Sequence, residues 1–81
     1  MDISKLRIFA TVARVGNFTR AAELLYLAQP TVSQQLATLE AQVGAPLIER
    51  LPRRLKLTPA GEALLPYAEQ ILALADAGGE A

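Results

Sequence analysis

The sequence of 81 residues contains no cysteine and no histidine. Disulfides, thiolate nucleophiles, imidazole bases and most zinc sites are therefore excluded. Catalysis would need paired acids or a lysine, and no two carboxylates are placed to share a site. We accordingly expect neither an enzyme nor a bound metal or cofactor.

Long apolar runs are also missing from the chain. No stretch of about 18 apolar residues is present, so the sequence predicts no membrane-spanning helix. Residues 1–5 lack the charged-then-apolar pattern that begins a signal peptide. The expectation that follows is a soluble cytoplasmic protein without a membrane partner.

Net charge is zero, but charge is distributed unevenly along the chain. Residues 1–60 contain all eight basic and four acidic side chains, giving +4, whereas residues 61–81 contain four acidic and no basic side chains, giving −4. An anionic partner for the basic part would explain this asymmetry. Two ordinary solvated faces would explain it equally well.

Apolar spacing predicts one small, mainly α domain, in keeping with the 52% apolar content. A first helix is expected from about Ile3 to Val15, with Gly16 as its C-terminal cap. It is apolar around most of its circumference and must be covered on more than one face. Asn17 is a good N-cap for a second helix, from about Thr19 to Tyr26.

A third helix follows a break at residues 27–29, with Pro30 in its first turn and Gly44 after its end. Its predicted buried residues are Val32, Leu36, Leu39 and Val43. Two helices joined by a three-residue turn are typical of a helix-turn-helix, and an ordinary helical hairpin is the alternative.

Residues 47–50 and 55–57 have the pattern of two short strands, with Pro52-Arg53-Arg54 at the tip between them. Such a ribbon is marginal alone and must pack against the helices. Thr58 and Pro59 then begin a last helix that extends to about Ala77 and contains Pro66, which should bend it.

The last helix has an apolar stripe with two open roles, core packing on the first helix or contact with a second copy. We expect the first turns to cover the first helix and the later ones to meet the second copy. The residues predicted for the dimer interface are Leu64, Leu65, Ala68, Ile71, Leu72 and Ala75.

Neutral polar side chains dominate the outward face of the third helix. They are Gln29, Thr31, Ser33, Gln34, Gln35, Thr38 and Gln42. A helix that faces only water would normally present charged residues, whereas amides and hydroxyls suit the edges of base pairs. A plain polar surface is the alternative interpretation.

Attraction to DNA would have to come from cations elsewhere, because this helix contains no lysine or arginine. The candidates for phosphate contacts are Lys5, Arg20, Arg53, Arg54 and Lys56. Helix N-termini at Thr19 and Pro30 are further candidates. For Arg50, a structural ion pair with Glu40 or Glu49 is at least as good an interpretation as DNA contact.

Several runs of residues closely resemble the LysR-type transcriptional regulators. They are FTRAAELL (18–25), AQPTVSQQL (28–36), LE (39–40), VG (43–44), LIER (47–50) and LTPAG (57–61). The resemblance implies a winged helix-turn-helix domain over residues 1–58, with the helix-turn-helix at about 18–37 and the wing at about 47–57. A linker and dimerisation helix would occupy residues 59–81.

The same resemblance implies binding to double-stranded DNA as a dimer or tetramer on interrupted inverted repeats, with Gln29, Pro30, Ser33 and Gln34 facing the major groove. In that family position 34 is often arginine, and a glutamine pairs more naturally with adenine. The complete set predicted for DNA binding is Thr19, Arg20, Gln29, Pro30, Thr31, Ser33, Gln34, Arg53 and Arg54.

Members of that family also carry an effector-binding domain of two α/β lobes. The sequence contains no such domain, so we expect DNA binding without ligand sensing. The competing functional hypothesis is a winged-helix protein-interaction module that uses the apolar C-terminal helix.

Overall fold

The computed structural model describes residues 2–79 and contains four helices and one antiparallel ribbon. The elements are α1 (Ile3–Val15), α2 (Phe18–Leu25), α3 (Gln29–Val43), β1 (Ile48–Leu51), β2 (Arg54–Leu57) and α4 (Pro59–Gly79). The end of the predicted linker segment, residues 80–81, lies outside the described residues, as does Met1. The predicted mainly α, winged helix-turn-helix architecture is confirmed.

Local capping explains most of the helix boundaries. Gly16 and Gly44 follow α1 and α3 with φ of 75° and 87°, a left-handed conformation in which glycine has no steric cost. The Asn17 side chain accepts a hydrogen bond of 2.8 Å from the Arg20 amide and so caps α2, as predicted. At the other end of α2, Tyr26 has φ of 57°, and the helix stops one residue earlier than expected.

The core is centred on α1, which packs against the other three helices and β2. Phe9 and Val12 are 0% exposed. This confirms that α1 is covered on more than one face. In α3, Val32, Leu36 and Leu39 are buried, but the prediction for Val43 is wrong. Val43 lies in the last turn and is 37% exposed, because it is on a side of that turn that the core does not reach.

The ribbon differs from the prediction by one residue on each side of the turn. β1 extends to Leu51, which pairs with Arg54, so the turn between the strands contains only Pro52 and Arg53. The Glu40 carboxylate accepts hydrogen bonds from the amides of Leu47 at 2.7 Å and Ile48 at 3.3 Å. This contact fixes the start of β1 against α3.

Thr58 caps α4, because its Oγ1 accepts a hydrogen bond of 3.1 Å from the amide of Gly61. The helix continues through residues 78 and 79, two residues past the predicted end, and contains Pro66. Ala68 is 0% exposed and Leu72 is 7% exposed, so this part of α4 belongs to the core. No helix between residues 2 and 79 has the length and apolarity that crossing a membrane requires.

Candidate nucleic-acid interface

Among the described residues, no side chain caps the N-terminus of α3. Asp2, Asn17 and Thr58 each cap the helix that follows them, whereas α3 begins after Ala28 and has no side-chain cap. Pro30 occupies the first turn, where its missing N–H is not needed. The amides of Thr31 and Val32 donate to the Ala28 carbonyl, so the helix start offers the Gln29 N–H and a partial positive charge to an anion such as phosphate.

Side chains predicted to read bases lie together on the first two turns of α3, as helical spacing requires. Pro30 and Gln34 are exposed, whereas Gln29, Thr31 and Ser33 are half-buried. The Gln34 side chain makes no hydrogen bond to another described residue. This turn of the helix can therefore present an amide to a partner without first breaking an internal contact.

Ion pairing separates the basic residues into two groups. Within residues 2–79, four ion pairs are formed, all between helical residues or helix caps: Lys5–Asp2, Arg7–Asp76, Arg14–Glu69 and Arg20–Glu23. None of these four pairs involves a residue of the ribbon. The ribbon cations of the described chain, which are Arg50, Arg53, Arg54 and Lys56, thus have no carboxylate partner and are all exposed. The uncompensated positive charge is concentrated on the wing.

An open groove of about 290 Å³ lies between the ribbon tip and the start of α2. Thr19 lines one wall, and Arg53 and Arg54 line the other. The structure therefore brings these three predicted residues together, although Arg53 lies 34 positions after Thr19 in the sequence. Arg20 lies on the same helix, and its guanidinium is 3.4 Å from the Glu23 carboxylate.

Arg50 has different partners from those that the sequence suggested. Within residues 2–79 Arg50 forms an ion pair with neither Glu40 nor Glu49, and the Glu40 carboxylate accepts from two strand amides instead. Arg50 donates a hydrogen bond of 3.0 Å to Oγ of Ser33, and its guanidinium carbon lies 3.9 Å from the centroid of the Phe18 ring. Nothing local in the sequence signals either contact.

The predicted dimer residues divide between the core and the surface of α4. Ala68 and Leu72 are buried within the chain and are not available to a second copy. Leu64, Leu65 and Ala75 are half-buried, and Ile71 is 37% exposed. Sequence reasoning missed Tyr67 and Leu74, which are 65% and 74% exposed and recur with Ile71 at the spacing of one helix face.

The helix-turn-helix formed by α2 and α3, followed by a two-stranded wing that carries exposed cations, defines the class of winged helix-turn-helix DNA-binding domains. Within that class the chain belongs to the LysR family. The model of the family described as "Bacterial regulatory helix-turn-helix protein, lysR family" matches residues 3–62. The predicted family resemblance is confirmed.

Known relatives and solved structures agree with this assignment. The chain is 51% identical over 80 residues to the HTH-type transcriptional regulator BudR of Klebsiella aerogenes, covering 99% of the chain and 56% of BudR. A crystal structure of the CbnR DNA-binding domain in complex with DNA superposes with a TM-score of 0.90 at 41% identity, covering 99% of the chain and 92% of that structure. A complex of the BenM DNA-binding domain with catB site 1 DNA gives 0.92 at 38% identity, covering 99% and 90%.

The chain spans little more than half the length of the BudR of Klebsiella aerogenes, and 28% of the BudR of Raoultella terrigena. The relatives are named as transcriptional regulators, and the structural neighbours include protein–DNA complexes. The alternative of a protein-interaction module is therefore not favoured.

Proposed function

We propose that this chain binds double-stranded DNA in a sequence-specific manner as part of a bacterial transcription regulator, with α3 in the major groove. The observation that carries the proposal is the pairing of a neutral, amide-rich α3 surface with a wing whose cations have no carboxylate partner among residues 2–79. Cations supply affinity for any duplex, whereas amides and hydroxyls distinguish base pairs. A cytoplasmic location, where promoter DNA lies, is part of the same proposal.

Phosphate contacts would flank the reading surface, which is the part of α3 that carries Gln29, Pro30, Ser33 and Gln34, on two sides. The uncapped start of α3 offers the Gln29 amide and the positive end of the helix dipole to one phosphate. The groove between Thr19 and the wing residues Arg53 and Arg54 offers a hydroxyl and two guanidinium groups to another. Contacts of this kind fix the register of a protein on DNA without reading its sequence.

The proposal includes a homodimer formed through α4. A helix of 21 residues is about 31 Å long and extends along a protomer whose principal dimensions are 42 × 26 × 18 Å. Tyr67, Ile71 and Leu74 form an exposed apolar strip that runs along α4 beside its buried face. Pairing two such strips about a two-fold axis would place two reading helices on one face of DNA, about one helical turn or a multiple of it apart.

This arrangement divides the chain by role. Residues 1–58 would be the DNA-binding domain, with the helix-turn-helix at about 18–37 and the wing at about 47–57. Residues 59–81 would be the dimerisation and linker helix. In the complete regulator we propose that a tetramer can form and that effector sensing resides in a separate domain.

Selection of bound duplexes from a random DNA pool tests the function directly. We expect an inverted repeat with an interruption, recovered at moderate salt, and a binding constant that falls steeply as salt is raised. The test must include unrelated duplexes of equal length. Binding without any preference at low salt would contradict the proposal, as would attachment that is insensitive to salt, which is typical of an apolar helix contact.

A further inference from the structure

Arg50 lies on the inner face of the ribbon, although a cation is unexpected there. Side chains two residues apart on a strand point to the same face, so Arg50 shares the face of Ile48, which is 9% exposed and belongs to the core. Leu55 pairs with Arg50 across the ribbon and packs on the core as well. The Arg50 side chain therefore points toward the helices, although much of it is exposed.

This direction brings the guanidinium to both helices of the helix-turn-helix. Its carbon lies 3.9 Å from the ring centroid of Phe18, the first residue of α2, and Nη2 donates a hydrogen bond of 3.0 Å to Ser33 in the second turn of α3. A ring face and a neutral hydroxyl leave the positive charge uncompensated, unlike a carboxylate. One wing residue thus joins the wing to the start of α2 and to the reading surface.

The contact also decides which hydrogen-bonding role Ser33 keeps. A serine hydroxyl has one proton to donate and two lone pairs that accept, whereas a guanidinium can only donate. Ser33 is therefore the acceptor in this pair. Its hydroxyl makes no other hydrogen bond within residues 2–79, so its proton remains available to an external acceptor.

We propose that Arg50 is a positioning residue, which holds the Ser33 hydroxyl in place as a donor to a base edge in the major groove. The inference rests on the proposed DNA-binding function. Matching acceptors are N7 and O6 of guanine, N7 of adenine and O4 of thymine. The role differs from that of Arg53 and Arg54, because Arg50 acts on base discrimination through another residue.

The test compares binding to the duplex that the chain selects from a random pool with binding to variants of it that differ at one base pair. Arg50→Lys keeps the charge but loses the planar guanidinium group with its several N–H donors. We expect it to lower discrimination at one base pair by about tenfold, with the salt dependence unchanged. Ser33→Ala should act at the same base pair, and the double variant should be no worse than Ser33→Ala alone.

Arg14→Lys is the matched control, because it makes the same substitution outside the helix-turn-helix and the wing and should leave discrimination unchanged. Thermal unfolding of each variant separates a general loss of structure from a loss of positioning. If Arg50→Lys unfolds the domain, Arg50→Gln and Arg50→Met replace it, since both lack the charge and only glutamine retains a donor. Arg50→Gln should then discriminate better than Arg50→Met.

Three results would overturn the inference while leaving the proposed function intact. They are undiminished discrimination in Arg50→Lys, losses that multiply in the double variant with Ser33→Ala, and equal discrimination by Arg50→Gln and Arg50→Met. An equal loss on every duplex after Ser33→Ala would assign that hydroxyl to phosphate and overturn the inference as well. Failure of the unmodified chain to discriminate would instead overturn the proposed function, and the inference with it.

Discussion

Arg7 on α1 and Asp76 on α4 form a two-point ion pair, with Nη2 to Oδ1 at 2.6 Å and Nη1 to Oδ2 at 3.3 Å. Arg14 and Glu69 form a second pair between the same helices at 3.2 Å. The partners are seven residues apart on both helices and run in opposite directions, so α1 and α4 are antiparallel. The acidic C-terminal part of the chain is thereby attached to the DNA-binding body.

The pair makes stability depend on pH. The hydrogen bond from Arg7 holds the pKa of Asp76 below its ordinary value of 3.8. A carboxyl whose pKa is lower in the folded state stabilises the fold above its unfolded pKa and loses that contribution as pH falls through the folded value. We expect Asp76→Asn to lower the free energy of unfolding at neutral pH. The difference from the unmodified chain should disappear below the lowered pKa, as urea unfolding across pH would measure.

Glu69→Gln is the comparison for that experiment, since it removes the longer of the two ion pairs between the same helices. We expect a smaller effect at neutral pH, because the Arg14–Glu69 contact is a single hydrogen bond between exposed groups. A difference between Asp76→Asn and the unmodified chain that persists unchanged in strong acid would show that the ion pair is not its origin.

Gln29→Ala and Gln34→Ala should each weaken binding to the selected duplex by roughly 1–3 kcal/mol and blur the preference at one base pair. The physical reason is that an amide reads an adenine edge through two hydrogen bonds that alanine cannot make. Titration of each variant against duplexes with single substitutions measures the effect. Equal weakening on all duplexes would show that these side chains do not read bases.

Arg53→Ala removes a wing cation that has no partner in the described chain. Binding to every duplex should weaken, and the slope of log K against log salt should become shallower by about 1 if Arg53 neutralises one phosphate. Arg14→Ala is the control, because that guanidinium already pairs with Glu69. A slope that is the same with and without Arg53 would remove the wing tip from the DNA contacts.

Ile71→Glu tests the proposed pairing of α4, because it puts a charge into the exposed apolar strip with Tyr67 and Leu74. We expect monomers by sedimentation and weaker cooperation between half-sites, since an unpaired buried charge is costly. Ala73→Glu adds the same charge to an exposed position on another face of α4 and should leave the dimer intact. Dimers that persist in Ile71→Glu would place the interface elsewhere.

Gly61 cannot be replaced by alanine without a collision. A Cβ atom at this position would overlap the carbonyl oxygen of Leu47, which is backbone and cannot move aside. We expect Gly61→Ala to lower the free energy of unfolding by about 1–3 kcal/mol or more. Gly78→Ala, where no atom of the described residues lies within 4 Å of such a Cβ, should be neutral or slightly stabilising. Chemical denaturation measures the free energy of unfolding of both variants. Equal stability of Gly61→Ala and Gly78→Ala would contradict the close contact between Gly61 and Leu47.

Helix and strand boundaries could be predicted from the sequence because capping residues mark them. Gly16, Gly44 and Thr58 each adopt the conformation or hydrogen bond that their chemistry favours, so the elements deviate from prediction by only one or two residues. Periodicity failed at Val43, because local spacing indicates an apolar side but cannot show where the covering elements end.

Contacts between distant residues could not be predicted in the same way. Glu40 and Arg50 are close in sequence and opposite in charge, which suggested an ion pair. Glu40 instead accepts from the backbone amides of Leu47 and Ile48, and Arg50 packs on Phe18. Both outcomes depend on how the ribbon folds back onto the helices, which no local pattern contains. The exposed positions of Tyr67 and Leu74 follow from the same kind of packing.

Thr58 belongs to the end of the wing and the beginning of α4 at once. Its amide donates to the Leu47 carbonyl at 3.1 Å, its hydroxyl donates to the Pro46 carbonyl at 2.6 Å, and its Oγ1 caps α4. The connection between the wing and α4 is therefore rigid. In a dimer built on α4, the distance between the two α3 helices would be fixed. A DNA site whose half-sites are at a different spacing would then have to bend to contact both helices. The stiffness of the base pairs between the half-sites would therefore influence which sites are occupied.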